Sequence, residues 1–347
     1  MQKYPEQLRR EAKYTVPAEV RHSIRTVYIG GGTPTLLPVP ALEELLDFVA
    51  SEMVGPETVE FSIEANPATL TEEVIVLLQR YGVNRVTLGL QSGQLQVLEG
   101  VGRAGGQDLV SVALARLRAE GIENIGIDFI VGLPGQTPAG IADDASFLAE
   151  KEVEHVSAYM LSVEPGTLLE QRVVAGELKL PSDARTRRML QLFSGLLQKC
   201  GFDRYEVSNF AREKKYSIHN CLTREGAPYY GLGAGAVGCV DGVRYRNPAE
   251  VVQYLSLRKE EEFEACREKE ILTRERRVEE AIMLGLRCSS GLDCTALSRR
   301  EGYDLLFERE RAIGQLISDG LLRRSGDRLF CTRKGWFWLD RVVMSLF

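Results

Sequence analysis

The sequence predicts an α/β protein built on a parallel barrel, with a small α+β region and a winged-helix-like domain appended. Three observations predict it. Strand-like and helix-like segments alternate from residue 25 to about residue 160, which means parallel pairing with right-handed crossovers. The conspicuous polar and glycine residues fall just after each strand, where the loops of a parallel barrel line a single mouth. Beyond Gly176 the alternation gives way to a long helix, short strands, and then three helices followed by a hairpin.

Taken in order, residues 25–29 (RTVYI) read as a strand, followed by Gly30-Gly31-Gly32-Thr33 and an amphipathic helix over 40–53 carrying Leu42, Leu45, Leu46 and Val49. Residues 58–63 form the next strand, then Glu64-Ala65-Asn66-Pro67 and a helix opened by Thr71-Glu72-Glu73. Strands follow at 85–90, 122–131 and 155–163, with helices near 107–120 and 137–150. A doubly wound open sheet would also gather such loops at one edge. The barrel is preferred because four of the five units carry polar or glycine-rich punctuation there, and the fifth runs into Glu164-Pro165-Gly166. A long helix spans 183–200, GFDRYEVSNFA reads as strand and turn, and the charged stretch 259–270 reads as a linker or solvated helix face. The expected domains are 1–175, 176–258 and 259–347.

Composition narrows the function classes. Of 347 residues, 44% are hydrophobic and 27% charged, which suits a globular chain and excludes wholesale disorder. No apolar run has the length of a membrane helix. The N-terminus has no apolar signal core. A net charge of −6 argues against a nucleic-acid-coating surface, and residues 271–347 carry 14 Lys/Arg against 11 Asp/Glu, too slight an excess for that role. Seven cysteines, none before Cys200 and none within a CxxC, make neither a disulfide scaffold nor a zinc knuckle. The reducing cytoplasm is the expected compartment.

Candidate chemistry concentrates after the strands. GGGTP lets backbone amides approach a ligand with no side chain intervening. Glu64 and Asn66 share a face at their strand end. Asp128 sits between Ile127 and Phe129, an expensive place for a carboxylate unless it is paired or binds something polar. Gly233–Gly238 (GAGAVG) matches the dinucleotide fingerprint on paper but leads into a strand, whereas the fingerprint needs a helix, so no nucleotide loop is read there. His219, beside Asn220 and Cys221, is a candidate haem ligand; His22 and His155 carry less signal. Trp336 and Trp338 read as core of the winged helix.

YIGGGTPTLLP, FSIEANPATLT, VNRVTLGLQS, GIDFIVGLPGQT, VSAYMLSVEPGT and YEVSNFA…YSIHNC…GLGAGAVG resemble, in order and spacing, the radical S-adenosylmethionine (SAM) proteins related to oxygen-independent coproporphyrinogen III oxidase. EPGT, EVSNFA and the compact C-terminal wing look like the haem chaperone branch. The resemblance covers nearly the whole chain. It implies a partial (β/α)6 barrel whose mouth holds a four-iron–four-sulfur cluster and SAM. Position by position, Gly31, Gly32 and Thr33 would hold the methionine end of SAM, and Glu64, Gln91, Arg103 and Asp128 would complete the pocket.

Two departures accompany the resemblance. The CxxxCxxC loop that holds the cluster is absent, and only five barrel strands are visible, so the sequence is expected to begin inside the family's first helix, without the first strand. The chaperone branch also carries HNxxYW, which here reads His219-Asn220-Cys221-Leu222-Thr223-Arg224, and Val237 stands where a histidine is usual. The resemblance implies haem binding at His219, Asn220 and Cys221 and transfer to an acceptor protein. The alternatives are porphyrin-precursor decarboxylation, in which cleaved SAM supplies a hydrogen-abstracting radical, and a non-catalytic binding protein without the cluster. An electron donor and a homodimer complete the expected partners.

Overall fold

A computed structural model describes residues 3–347; the first two residues of the expected N-terminal helix lie outside the described residues. Five parallel strands lie side by side in chain order: β1 (Thr26–Ile29), β2 (Glu60–Ala65), β3 (Arg85–Gln91), β4 (Asn124–Val131) and β5 (His155–Met160). Helices Val39–Glu52, Glu72–Arg80, Gln107–Ala119 and Pro138–Glu150 connect them, as the alternation predicts. The Oγ1 atoms of Thr71 and Thr137 accept from the amides of Val74 and Gly140, 3.3 and 3.1 Å away, and so start two of these helices. Past β5 the sheet departs from a purely parallel pattern. The short strands β6 (Asp203–Arg204) and β7 (Asn209–Ala211) join it antiparallel, giving the order β1-β2-β3-β4-β5-β7-β6.

Side chains alternate across each strand, and the register aligns like with like. Val27, Phe61, Val86, Ile125 and their neighbours two residues on meet the helices in a continuous apolar core. The opposite face is polar in successive rows. Thr26 lies beside Glu60, and Tyr28 beside Ser62, which pairs with Arg85. Glu64 lies beside Thr87, which pairs with Gly126, which pairs with His155; Asp128 lies beside Ser157. A carboxylate in β4 is thus one member of a polar lining.

A second, antiparallel sheet holds β8 (Val237–Val240), β9 (Val243–Arg246) and β10 (Glu268–Ile271). The β8–β9 turn is Asp241-Gly242, both with positive φ, the two-residue hairpin whose twist matches its strands. The charged stretch 259–270, expected as a linker or solvated helix face, forms the Glu260–Cys266 helix, with its glutamates exposed, and most of β10. Its charges hide two inward groups: Phe263 is buried in the main core, and the Arg267 guanidinium reaches the fully buried Glu11 at 2.9 Å.

The C-terminal region has its own apolar cluster, including Val278, Ile282, Leu316 and Leu329. Helices Arg274–Arg287, Cys294–Glu301 and Glu310–Ser318 pack with a three-stranded sheet of β11 (Leu292–Asp293), β12 (Leu322–Ser325) and β13 (Arg328–Cys331), in the order β11-β13-β12. Trp336 joins this core and its Nε1 donates to the Leu286 carbonyl at 3.0 Å. Trp338 does not: it is 47% exposed, with the Arg187 guanidinium over its ring.

Candidate functional site

The strand ends of β1 and β2 build one side of the site. Glu64 accepts from the Tyr28 hydroxyl and, through Oε2, from the Gly31 amide at 3.1 Å, which fastens the glycine loop to β2. Gly31 adopts φ +115°, open to glycine and strained for other residues. A Cβ at Gly30 would lie 2.4 Å from the Tyr28 ring, whereas one at Gly31 or Gly32 would meet nothing within 4 Å. The loop is therefore closed on its strand side and open above.

Asp128 faces the same space from β4. Burial pushes its carboxyl up to about 6 and the nearby Glu64 charge adds to the rise, while a hydrogen bond from Ser157 and the Arg85 charge oppose it. Burial likewise drives the Tyr28 phenol far above its ordinary value, reinforced by Glu64 and Asp128, and carries Tyr159 up to about 12. Tyr28, Glu64, Asp128 and Tyr159 form one electrostatically connected group. Gln91 ends β3 with φ +65°, and Arg103 is exposed beyond the Leu95–Gly100 helix. Among the described residues neither side chain makes a hydrogen bond or ion pair to that group.

His219 enters from another element. The Ile218–Arg224 helix lies against β1, and its first turn is held by Glu60, the opening residue of β2. The buried Glu60 carboxylate accepts from the Ile218 and His219 amides at 2.8 and 3.1 Å and from the hydroxyls of Ser62 and Ser217 at 3.1 and 3.3 Å. A carboxylate there satisfies amides that have no partner within the helix. The His219 ring stacks on Tyr28, centroids 5.1 Å apart and 17° from parallel. Its Nδ1 lies 3.0 Å from Thr26 Oγ1, and among the described residues Nε2 makes no hydrogen bond. Burial lowers the His219 pKa, against the Glu60 charge, so the imidazole is neutral at pH 7.

His219 borders two contiguous cavities. One, of about 1220 Å³, runs along β1 between apolar residues that include Leu8, Phe48 and Leu232. The other, of about 1350 Å³, is a cleft between the sheet's polar end and the C-terminal region. Asn220 and Cys221 border neither, and burial pushes the Cys221 thiol up to about 11, which keeps it protonated at pH 7.

Thr26, Tyr28 and Glu60 escaped the sequence reading. The polar alternation of RTVY and EFSIE signalled their common face. GAGAVG proves structural, as its misplaced strand indicated: the Gly233 amide donates to Glu11 at 2.8 Å and the Ala234 amide to the Tyr4 hydroxyl at 2.9 Å.

The first four parallel strands, the glycine loop and the carboxylates at their ends lie in a segment that a radical SAM family model matches. Residues 2–148 match the Radical SAM superfamily, and 272–338 match the HemN C-terminal domain. The fold is similar to that of coproporphyrinogen III oxidase (HemN) from Escherichia coli, a radical SAM enzyme, with a TM-score of 0.83 at 24% identity over 99% of this chain and 82% of that one. The heme chaperone HemW of Lactococcus lactis is 36% identical over 93% of this chain and 84% of the relative. HemW of Bacillus subtilis is 32% identical over 96% and 88%. The chain belongs to the HemW haem chaperone family of radical SAM proteins.

The residues present do not fit the family's four-iron–four-sulfur cluster. Among the described residues no three Cys, His, Asp or Glu side chains converge as a metal site, and the seven free cysteines are dispersed between Cys200 and Cys331. The loop around Gly31 and the carboxylates of Glu64 and Asp128 do fit a zwitterionic, cation-bearing ligand such as SAM. No described helix is long and apolar enough to cross a membrane.

Proposed function

We propose that this protein binds haem through Nε2 of His219 and passes it to an acceptor protein. One observation carries the reading: a neutral imidazole, held by Thr26 and Tyr28 and with no hydrogen bond at Nε2 among the described residues, borders a cleft large enough for a porphyrin. When Thr26 Oγ1 accepts the Nδ1 proton, the free lone pair sits on Nε2, the tautomer that iron ligation requires. The similar HemW proteins are named as heme chaperones, which supports the same reading. Cys221 plays no part as a thiolate ligand in this proposal, and Asn220, which borders neither cavity, is assigned no contact with haem.

Titration with hemin tests it. Saturable binding should shift the Soret band, and His219→Ala should weaken that binding at least about tenfold, since an axial ligand is worth more than one hydrogen bond. An identical titration in the variant would remove His219 from the site.

The same proposal places SAM at the strand ends, with Gly31, Gly32 and Thr33 at its methionine portion and Glu64 and Asp128 facing its positive charges. Gln91 and Arg103 would complete the pocket. Equilibrium dialysis with SAM checks this: Glu64→Gln should weaken binding, and equal binding would refute the placement.

A further inference from the structure

Five arginines line the cleft beside His219. Four are committed. Arg244 pairs with Glu280 at 2.6 Å, Arg277 and Arg300 pair with Glu301 at 2.8 and 3.1 Å, and Arg328 pairs with Asp293 at 2.8 Å. The fifth, Arg224, lies on the same short helix as His219 and is different. Its closest carboxylate is Glu206, with Nε 3.6 Å from Oε1, beyond hydrogen-bonding distance. That Nε is buried without a hydrogen-bond partner, and among the described residues none of its other guanidinium nitrogens makes a hydrogen bond either.

Glu206 does not need Arg224. Its Oε1 accepts from Arg287 Nε at 2.8 Å, and its Oε2 accepts from the Ser208 amide and Asn209 Nδ2 at 2.7 and 2.8 Å. Arg287 already neutralises this nearly inaccessible carboxylate, so the Arg224 charge is in surplus there. A guanidinium is a rigid fork of five donors matched to a carboxylate, and leaving its buried Nε without a hydrogen bond is costly.

We infer that Arg224 holds a carboxylate of the cargo, a propionate of the porphyrin, in this cleft. The inference rests on the haem reading above and deepens it. His219 and Arg224 lie on the same helix and both line this cleft, so one ligand seated in it meets the imidazole and the guanidinium. The cleft's volume of about 1350 Å³ accommodates the macrocycle between them.

Iron-free protoporphyrin IX and its dimethyl ester separate this contact from iron ligation. Fluorescence titration of the wild type should show the free acid binding at least about tenfold more tightly than the ester, the scale of a hydrogen bond to a charged group. R224Q should bring the two affinities within about twofold by weakening the acid alone, with its far-ultraviolet circular dichroism unchanged. A folded R224Q that keeps the wild-type ratio, or a wild type that fails to discriminate or to bind protoporphyrin, overturns the inference. Should R224Q fail to fold, R224K carries the test: a point charge without the fork must narrow the ratio, and an unchanged ratio overturns the inference. Hemin binding that depends on His219 without porphyrin discrimination would leave the haem reading standing and remove only Arg224.

Discussion

Thr26 Oγ1 and His219 Nδ1 lie 3.0 Å apart, so the first strand of the sheet holds an imidazole 193 residues further along the chain. The pair couples the barrel's edge to the helix that bears the proposed haem ligand. Thr26→Val keeps the side chain's shape and removes the oxygen. Hemin affinity should fall by about three- to tenfold, the value of one hydrogen bond, and the Soret band should broaden as the ring loses its fixed tautomer. Hemin titration of the folded variant checks this, and wild-type affinity with a wild-type spectrum would contradict it.

The lowered pKa of His219 gives haem binding a definite pH dependence. Burial disfavours the imidazolium, so the nitrogen stays available at pH 7 and is lost as pH falls through a value below the ordinary 6.5. The apoprotein's His219 resonances, followed by NMR, should titrate with a midpoint below 6.5. A midpoint at or above 6.5 would show that Glu60, the group that opposes the shift, outweighs desolvation.

Glu60 acts on His219 through the backbone. Glu60→Ala removes the acceptor from the Ile218 and His219 amides and from Ser217. Stability should drop by about 2–3 kcal/mol, the cost of unpaired buried donors, and hemin affinity should fall with it. Glu60→Gln retains a carbonyl acceptor and should recover most of that affinity in the same titration. Failure of the glutamine to recover any would indicate that the negative charge itself is required.

Much of this fold was legible because strands and helices alternate with their own periodicities, and the barrel units from RTVYI to HVSAYM lie within a few residues of their expected bounds. Asp128 stood out because a carboxylate flanked by Ile127 and Phe129 violates an apolar pattern. Thr26, Tyr28 and Glu60 were less visible, since each obeys the ordinary alternation of a strand with one polar face; only register shows that these faces adjoin. Phe263 and Arg267 were concealed by charged neighbours. Phe263 reaches inward because an acidic helix still has one face against the core, and Arg267, just past its end, because Glu11 lies buried beside it. The spare guanidinium of Arg224 was illegible, because its lack of a hydrogen bond among the described residues depends on Arg287, in the C-terminal region, having satisfied Glu206.

Asp128 makes the fold's stability depend on pH with a calculable sign. Its carboxyl rises from an ordinary 3.8 to about 6 in the folded chain, so between those values the unfolded chain releases a proton that the folded chain keeps. Stability contributed by this group therefore falls as pH rises through the window. Asp128→Asn mimics the protonated acid and retains an acceptor for Ser157. The variant should melt higher than wild type at pH 7–8, and the difference should vanish below about pH 4. Thermal unfolding monitored across that range decides it; a gain independent of pH would assign the effect to packing.

The Glu11–Arg267 pair is buried, so deletion of one partner should be costly. Glu11 is wholly buried yet accepts from Gly233, Asn247, Tyr254 and Arg267 at 2.6–2.9 Å, so one carboxylate fastens the N-terminal helix to the glycine turn and to the start of β10. Removing only the cation strands a charge that four donors were organised to hold. Arg267→Ala should cost about 3–5 kcal/mol in urea unfolding, far above the 0–1 kcal/mol expected for the exposed Arg80–Glu43 pair. Adding Glu11→Gln to Arg267→Ala should restore part of the loss, because the neutral amide oxygen still accepts from the turn and no unpaired charge then remains. If the double variant were no more stable than Arg267→Ala, the pair would owe its importance to its hydrogen bonds with the turn, and Asn247→Ala should then cost as much as the deletion itself.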